Sequence, residues 1–254
     1  MLSLLFIGFP AEADCACDQV SIYPNSDTLK RNSLIVLVST FCPDKTDNFL
    51  LHLNRRFPVY LQADEERIKL VVQQTFRSTL NVIQVVLKPE RLPAAGKSYT
   101  IHIDGVGRFQ SPHRMNLKNA DLEPAAFTFT AEQDLQGPSV LTVPTQIGTY
   151  SRYEACGPSS LVLFTYPARD KSSVFVKTTV RSLKTGKEET ILLFPRERDG
   201  LAVLEVGYYR CDVGFPLKGE EDYQVRFVFQ DICGNFSSGP DRGIRFRSPK
   251  TPEY

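Results

Sequence analysis

The chain has no tryptophan, and its 254 residues include only three histidines and two methionines. The missing tryptophan excludes the core indole of antibody-type domains. His52, His102 and His113 are the only imidazoles, and no two of them stand at ligand spacing. No serine sits in a nucleophile-elbow context, so hydrolase and metalloenzyme chemistry of the familiar kinds is not expected, an all-β enzyme with an unfamiliar site being the remaining enzymatic alternative. Charge of one sign is also lacking. Lys and Arg total 30 against 29 Asp and Glu, and neither half is polarised. A balance this even gives no electrostatic footprint for nucleic acid or an anionic membrane. No apolar run reaches the roughly 18–20 residues that span a bilayer. A 42% hydrophobic content with 23% charged residues, on the other hand, is ordinary for a chain that builds a core.

What is present is strand pattern. Ser33–Ser39 and Asn81–Leu87 are short, almost continuous apolar runs of the buried-strand kind, and Tyr99–Ile103 and Ala126–Thr130 alternate. Ser160–Tyr166, Val174–Val180, Glu189–Phe194, Leu201–Val206, Tyr223–Phe229 and Gly243–Phe246 continue the series. All are rich in β-branched and aromatic residues and bounded by Gly, Pro, Asp or Asn turns. The best helical candidate is Asp47–Arg55, where Phe49, Leu50 and Leu53 share a face. Short strands at this spacing give an all-β chain of sandwich type, with a boundary at Asp134–Ser139, where Gly137-Pro138 stops a strand. The expected organisation is residues 14–134 and 138–254 as two consecutive antiparallel β-sandwich domains, with 1–13 preceding them.

Residues 1–13, MLSLLFIGFPAEA, read as a short or truncated signal peptide. An apolar run is followed by Ala11 and Ala13 at the minus-three and minus-one positions before Asp14, although no basic residue precedes the run. A first core strand is the alternative. Cys17 has Asp14 three positions back, where a lipidation signal carries leucine, so lipidation is not favoured. An exported chain with six cysteines points to disulfides among Cys15, Cys17, Cys42, Cys156, Cys211 and Cys233. Fifteen connectivities are open. One bridge from Cys17 or Cys15 to Cys42, and one from Cys156 to Cys211, are the pairings considered, and each half leaves one cysteine over. Zinc is disfavoured, because Cys15-x-Cys17 is a poor chelating spacing and the other four cysteines are isolated.

The halves are weakly alike. Leu92, Gly96 and Tyr99 precede a strand that ends at Asp104-Gly105; Leu217, Gly219 and Tyr223 precede one that ends at Asp231, with Gly234-Asn235 beyond. Glycine permits the turn, and the tyrosine enters the strand with its hydroxyl placed to bond nearby backbone. Leu87-Lys-Pro89, Leu92, Gly96 and Tyr99-Thr-Ile, the closing stretch Gln230–Ser237, and the opening Cys17–Pro24 together resemble the bacterial Ig-like domains found in tandem on exported proteins. The resemblance covers about 40 residues of each half. It implies sandwich modules used as stalks, spacers or adhesive surfaces. Phe41–Arg67 departs from that compact pattern.

Candidate sites are few. Gly96-Lys97-Ser98 has the tail of a phosphate loop, but a strand follows where a helix is required, so it reads as a hairpin turn, as does Lys184–Lys187. Glu220, Glu221, Asp222, Asp231 and Asp241 would suit calcium only if loops gathered them, and no EF-hand spacing exists. Asn235-Phe-Ser237 fits a glycosylation acceptor but reads as the module's closing turn. Tyr150, Tyr153, Tyr208 and Tyr209 flank Cys156 and Cys211 and form the speculative ligand-binding set, an aromatic platform for sugar or protein. The expectation is a non-enzymatic binding or structural protein, periplasmic, surface-bound or secreted. It needs no cofactor and no metal, has a protein or glycan partner, and has a carbohydrate-binding module as the alternative.

Overall fold

The computed structural model describes residues 20–40, 48–80, 82–106, 113–115, 122–154, 157–209, 214–238 and 242–252. Among the described residues the regular structure is β, apart from one 3-10 turn at Phe49–His52. That turn stands in the expected helical segment. Asn48 caps it by accepting from the Leu50 amide at 2.9 Å, and Leu50 and Leu53 are buried beneath it.

The first half runs β1 (Val20–Tyr23), β2 (Thr28–Leu29), β3 (Ile35–Thr40), β4 (Val59–Ala63), β5 (Glu66–Arg77), β6 (Val82–Pro89), β7 (Ser98–Ile103), β8 (His113–Met115), β9 (Leu122–Pro124) and β10 (Ala126–Phe129). Eight of these strands form a continuous sheet in the order β1-β3-β6-β5-β4-β7-β10-β2, while β8 and β9 pair with each other. The sheet doubles over through β5. Glu66–Lys69 pair with β4, whereas Leu70–Arg77 pair with β6, with a register shift within that pairing at Val72/Gln74. Such an irregularity bends a strand and lets it serve two layers. Between the layers lie Ile35, Leu37, Leu61, Ile83, Val85, Tyr99, Phe127 and Phe129.

The second half runs β11 (Ser139–Val140), β12 (Gln146–Glu154), β13 (Gly157–Thr165), β14 (Ala168–Arg169), β15 (Val174–Ser182), β16 (Glu188–Leu193), β17 (Arg196–Arg198), β18 (Leu201–Tyr208), β19 (Asp222–Asp231) and β20 (Ile244–Arg247). Sheets β12-β13-β18-β17 and β16-β15-β19-β20 face each other, and β11 pairs with β14. Phe164 from one sheet meets Phe227 and Phe246 from the other edge-to-face, at 5.3 and 5.8 Å between centroids. Every ladder in this half is antiparallel.

The repeated tyrosine does the same work twice. The Tyr99 hydroxyl accepts from the amide of Ala94 at 3.1 Å, and the Tyr223 hydroxyl from the amide of Lys218 at 2.9 Å. In each case the donor lies five residues upstream, so the ring ties its own strand to the turn before it. Tyr99 also donates to Glu66 at 2.8 Å, and Glu66 receives Lys97 and Arg91 as well. That hydrogen bond from Tyr99, then Arg91 and Lys97, holds the Glu66 carboxyl down at about 2.

Candidate functional site

The apolar runs at β3 and β6 are continuous because both of their faces are covered. Ile35, Leu37, Ile83 and Val85 point into the first core; Val36, Val38, Val82 and Val86, joined by Leu34, point outward against Phe175, Leu192 and Ile232 of the second half. This third core stacks the two halves sheet against sheet. Tyr23 and Phe194 close its margin, their rings 4.1 Å apart, and the Tyr23 hydroxyl donates to the Val174 carbonyl at 3.0 Å. Burial pushes that phenol up to about 12.

Polar groups secure the contact. Gln84, in the middle of an apolar strand, is fully buried. Its amide donates to the Leu192 carbonyl at 2.8 Å and its oxygen accepts from the Leu192 amide at 2.7 Å. Since β16 is an edge strand, this carboxamide stands in for the missing neighbour at one residue. Thr79, at the turn after β5, gives its amide and hydroxyl to the two carboxylate oxygens of Glu189. The connecting segment is clamped too. Asn32 and Asn235 donate to the Asp134 carbonyl at 2.6 and 3.0 Å, and a β-carbon on Gly137 would lie 2.1 Å from the Phe236 carbonyl oxygen.

At the same junction the carboxylates of Asp134, Asp170 and Asp231 come within 4.8 Å of one another, the grouping among the described residues whose spacing suits a metal ion. A cation is already there, for Lys30 reaches Asp134 at 2.6 Å. Lys30 and the Ser172 hydroxyl hold the Asp134 carboxyl at about 2, while burial raises that of Asp231 despite two bonds from Asn235. The sequence grouped Asp231 with Glu220, Glu221 and Asp222 instead. β19 begins at Asp222 and ends at Asp231, and ten residues of strand keep its ends about 30 Å apart. Glu221 instead pairs with Lys184, and Asp222 lies opposite Arg247. Asp241 lies outside the described residues.

Beside the junction, Cys233 is a free thiol, half-buried, with its sulfur 3.7 Å from the Ser33 hydroxyl and 3.9 Å from that of Ser172. Burial pushes its pKa up, which leaves it protonated and slow to react. Cys15, Cys17, Cys42, Cys156 and Cys211 lie outside the described residues.

The four tyrosines divide into two pairs. Tyr150 and Gly207 both lie opposite Leu161, on the outer face of their sheet, and Tyr209 follows two residues after Gly207. The Tyr150 and Tyr209 rings approach to 6.1 Å. Arg198 lies 4.8 Å above the Tyr150 ring, donates to the Tyr209 hydroxyl, and pairs with Glu205 at 2.5 Å. Tyr208 and Ser151 both lie opposite Ser160, on the core-facing side, and Tyr153 shares that side. Among the histidines, His102 is exposed on β7 and stacks on Tyr60 at 5.6 Å.

A cleft of about 300 Å³ opens at the other end of the second half. Val180, Phe215, Leu217 and Tyr223 form its floor, below the β15–β16 turn, with Lys187, Lys218 and three glutamates around it.

No protein-family model and no curated protein matches the chain. Solved structures give remote superpositions. The crystal structure of a pullulanase from Anoxybacillus sp. LM18-11 is 12% identical, covers 82% of this chain and 24% of its own, and has a TM-score of 0.25. Pullulanase type I from Bacillus subtilis str. 168, complexed with maltose, is 10% identical over 89% of this chain and 24% of its own, again at 0.25. The N-terminal part of the bacterial S-layer protein SbsC is 10% identical over 92% and 44%, also at 0.25. The chain thus spans about a quarter of the length of the pullulanases and under half of the S-layer fragment. Scores of this size carry no structural or functional conclusion.

Proposed function

We propose that this chain is an exported, non-catalytic binding or structural protein of the bacterial cell surface, built from two Ig-like sandwiches and acting as a rigid spacer or adhesive unit. The observation that supports it is the third core with its Gln84–Leu192 clasp. Domains that merely follow one another in a chain usually meet through small, polar interfaces and move. Here eight fully or nearly buried apolar side chains join the halves. At about 1.5–3 kcal/mol for each fully buried side chain, the contact resists thermal separation. A fixed orientation is what a spacer or presenting module needs, and it adds nothing to two independent binding domains on a tether.

The test is the distribution of distances between spin labels placed at Glu65 and Lys171, one in each half, in the full chain. A single narrow distribution, together with recovery of the native protein in the surface fraction by protease shaving of intact cells, supports the reading. A broad distribution defeats the rigid unit, and protection of the protein inside intact cells defeats the surface assignment.

Carbohydrate binding is the second reading, and the Tyr150–Tyr209 pair beside Arg196, Arg198 and Glu205 favours it. Aromatic faces with planar hydrogen-bonding groups at their margin are how wet sites hold sugars. If Tyr150→Ala and Tyr209→Ala leave every interaction on a glycan array unchanged, this reading fails.

A further inference from the structure

We propose that the cleft at the end of the second half is a binding site for a small amphiphilic anion: an apolar body of roughly ring-pair size carrying one carboxylate, sulfonate or phosphate. Its volume of about 300 Å³ matches the small end of the range for ligand pockets. The floor is apolar, formed by Val180 of β15 and Tyr223 of β19, which belong to one sheet, together with Phe215 and Leu217 from the segment before β19.

The charge at the rim decides which ligand fits. The three glutamates there are engaged. Glu189 holds the amide and hydroxyl of Thr79 at 3.1 and 2.8 Å, Glu221 pairs with Lys184 at 2.9 Å, and Glu188 lies within 4.0 Å of Arg181 and 3.7 Å of Arg226. Lys187 and Lys218 are exposed and have no ion-pair partner among the described residues. Glu188 and Glu221 are balanced by cations, whereas the donors on Glu189 are neutral, so two ammonium groups stand against one carboxylate and the rim keeps a net positive charge beside an apolar floor. An acidic head at the rim would offset that net charge within reach of the two lysines while its body covers Phe215 and Leu217, and a cationic or purely polar ligand would lose one of these two contributions.

This site is independent of the spacer reading, and each can fail alone. The test uses the native full chain and two probes that share their rings: 8-anilinonaphthalene-1-sulfonate and the uncharged N-phenyl-1-naphthylamine. The expected result is saturable one-to-one binding of the sulfonate, weakening as salt is raised, with amide shifts confined to Val180, Leu217, Tyr223 and their neighbours. The double variant Lys187→Glu, Lys218→Glu is expected to weaken the sulfonate about tenfold or more while leaving the neutral probe within about twofold. Leu217→Asp is expected to weaken both probes. Both lysines are exposed, so an unchanged unfolding midpoint in the double variant shows that the fold is intact. Equal sulfonate affinity in wild type and double variant overturns the proposal, as do shifts that map elsewhere or the lack of saturation by millimolar probe.

Discussion

Gln84 spends its whole carboxamide on the backbone of Leu192, 108 residues away, giving one hydrogen bond and receiving another where β16 has no strand beside it. A glutamine buried in an apolar strand is costly unless its amide is satisfied, and here both ends are.

Gln84→Ala is therefore expected to destabilise the protein by about 2–4 kcal/mol, because it opens a cavity and leaves the Leu192 amide and carbonyl buried without partners. Gln84→Met should restore most of the volume and little of the stability. Urea denaturation of the three proteins separates the terms. Recovery of full stability in the methionine variant would mean that the clasp contributes only packing.

The paired tyrosine corners predict unequal losses. Tyr223→Phe removes one acceptor from the Lys218 amide and is expected to cost about 1 kcal/mol. Tyr99→Phe removes the acceptor for Ala94 and the donor to Glu66 together, and is expected to cost more. It should also raise the Glu66 pKa from its low value near 2, since the Tyr99 bond is the largest of the influences that depress it. Carbon-13 titration of Glu66 checks this directly.

Asp134 links the junction to pH. Its carboxyl titrates at about 2 in the folded protein, below the ordinary 3.8, so its contribution is complete above the ordinary value and is lost as pH falls towards 2. Asp231 has the opposite sign, its pKa being raised, so protonating it relieves the folded state first. The stability difference between wild type and Asp134→Asn should therefore be roughly 1–2 kcal/mol near pH 6, reduced by solvent screening, and shrink towards zero near pH 2. Urea midpoints across that range test it, and a difference independent of pH would show that Lys30 does not engage the charge.

The connecting segment predicts a contrast between glycines. Gly137→Ala drives a β-carbon to 2.1 Å from a carbonyl oxygen, so backbone must move, at about 2–3 kcal/mol. Gly186→Ala meets nothing within 4 Å and bears only its positive φ of 73°, a cost of about 1–2 kcal/mol. Thermal unfolding of both variants gives the order, and the reverse order would place Gly137 away from Phe236.

Strands were legible wherever side chains alone carried the pattern. β3, β6, β7, β10, β13, β15, β16, β18, β19 and β20 all fall on expected segments. The sequence pattern did not show the long strands β5 and β12, nor β4 and the short strands β2, β8, β9, β14 and β17. β5 serves two layers and shifts register midway, so its apolar residues keep no single period, and β12 is an exposed, largely polar edge. The tyrosine repeat was visible because a turn, a ring and a strand lie within five or so residues of one another.

Local chemistry thus settled that this is an all-β chain and which tyrosines anchor their strands. It also marked β3 and β6 as strands buried on both faces without naming what buries the second face. Only the tertiary structure supplied that partner. The contacts Gln84–Leu192, Asp134–Asn235 and Thr79–Glu189 each join residues about 100 or more positions apart, and no periodicity encodes a pairing at such separations. The same reason hides the cleft, whose apolar floor and rim lysines come from β15, the β15–β16 turn and the segment before β19, which meet only when β15 pairs with β19.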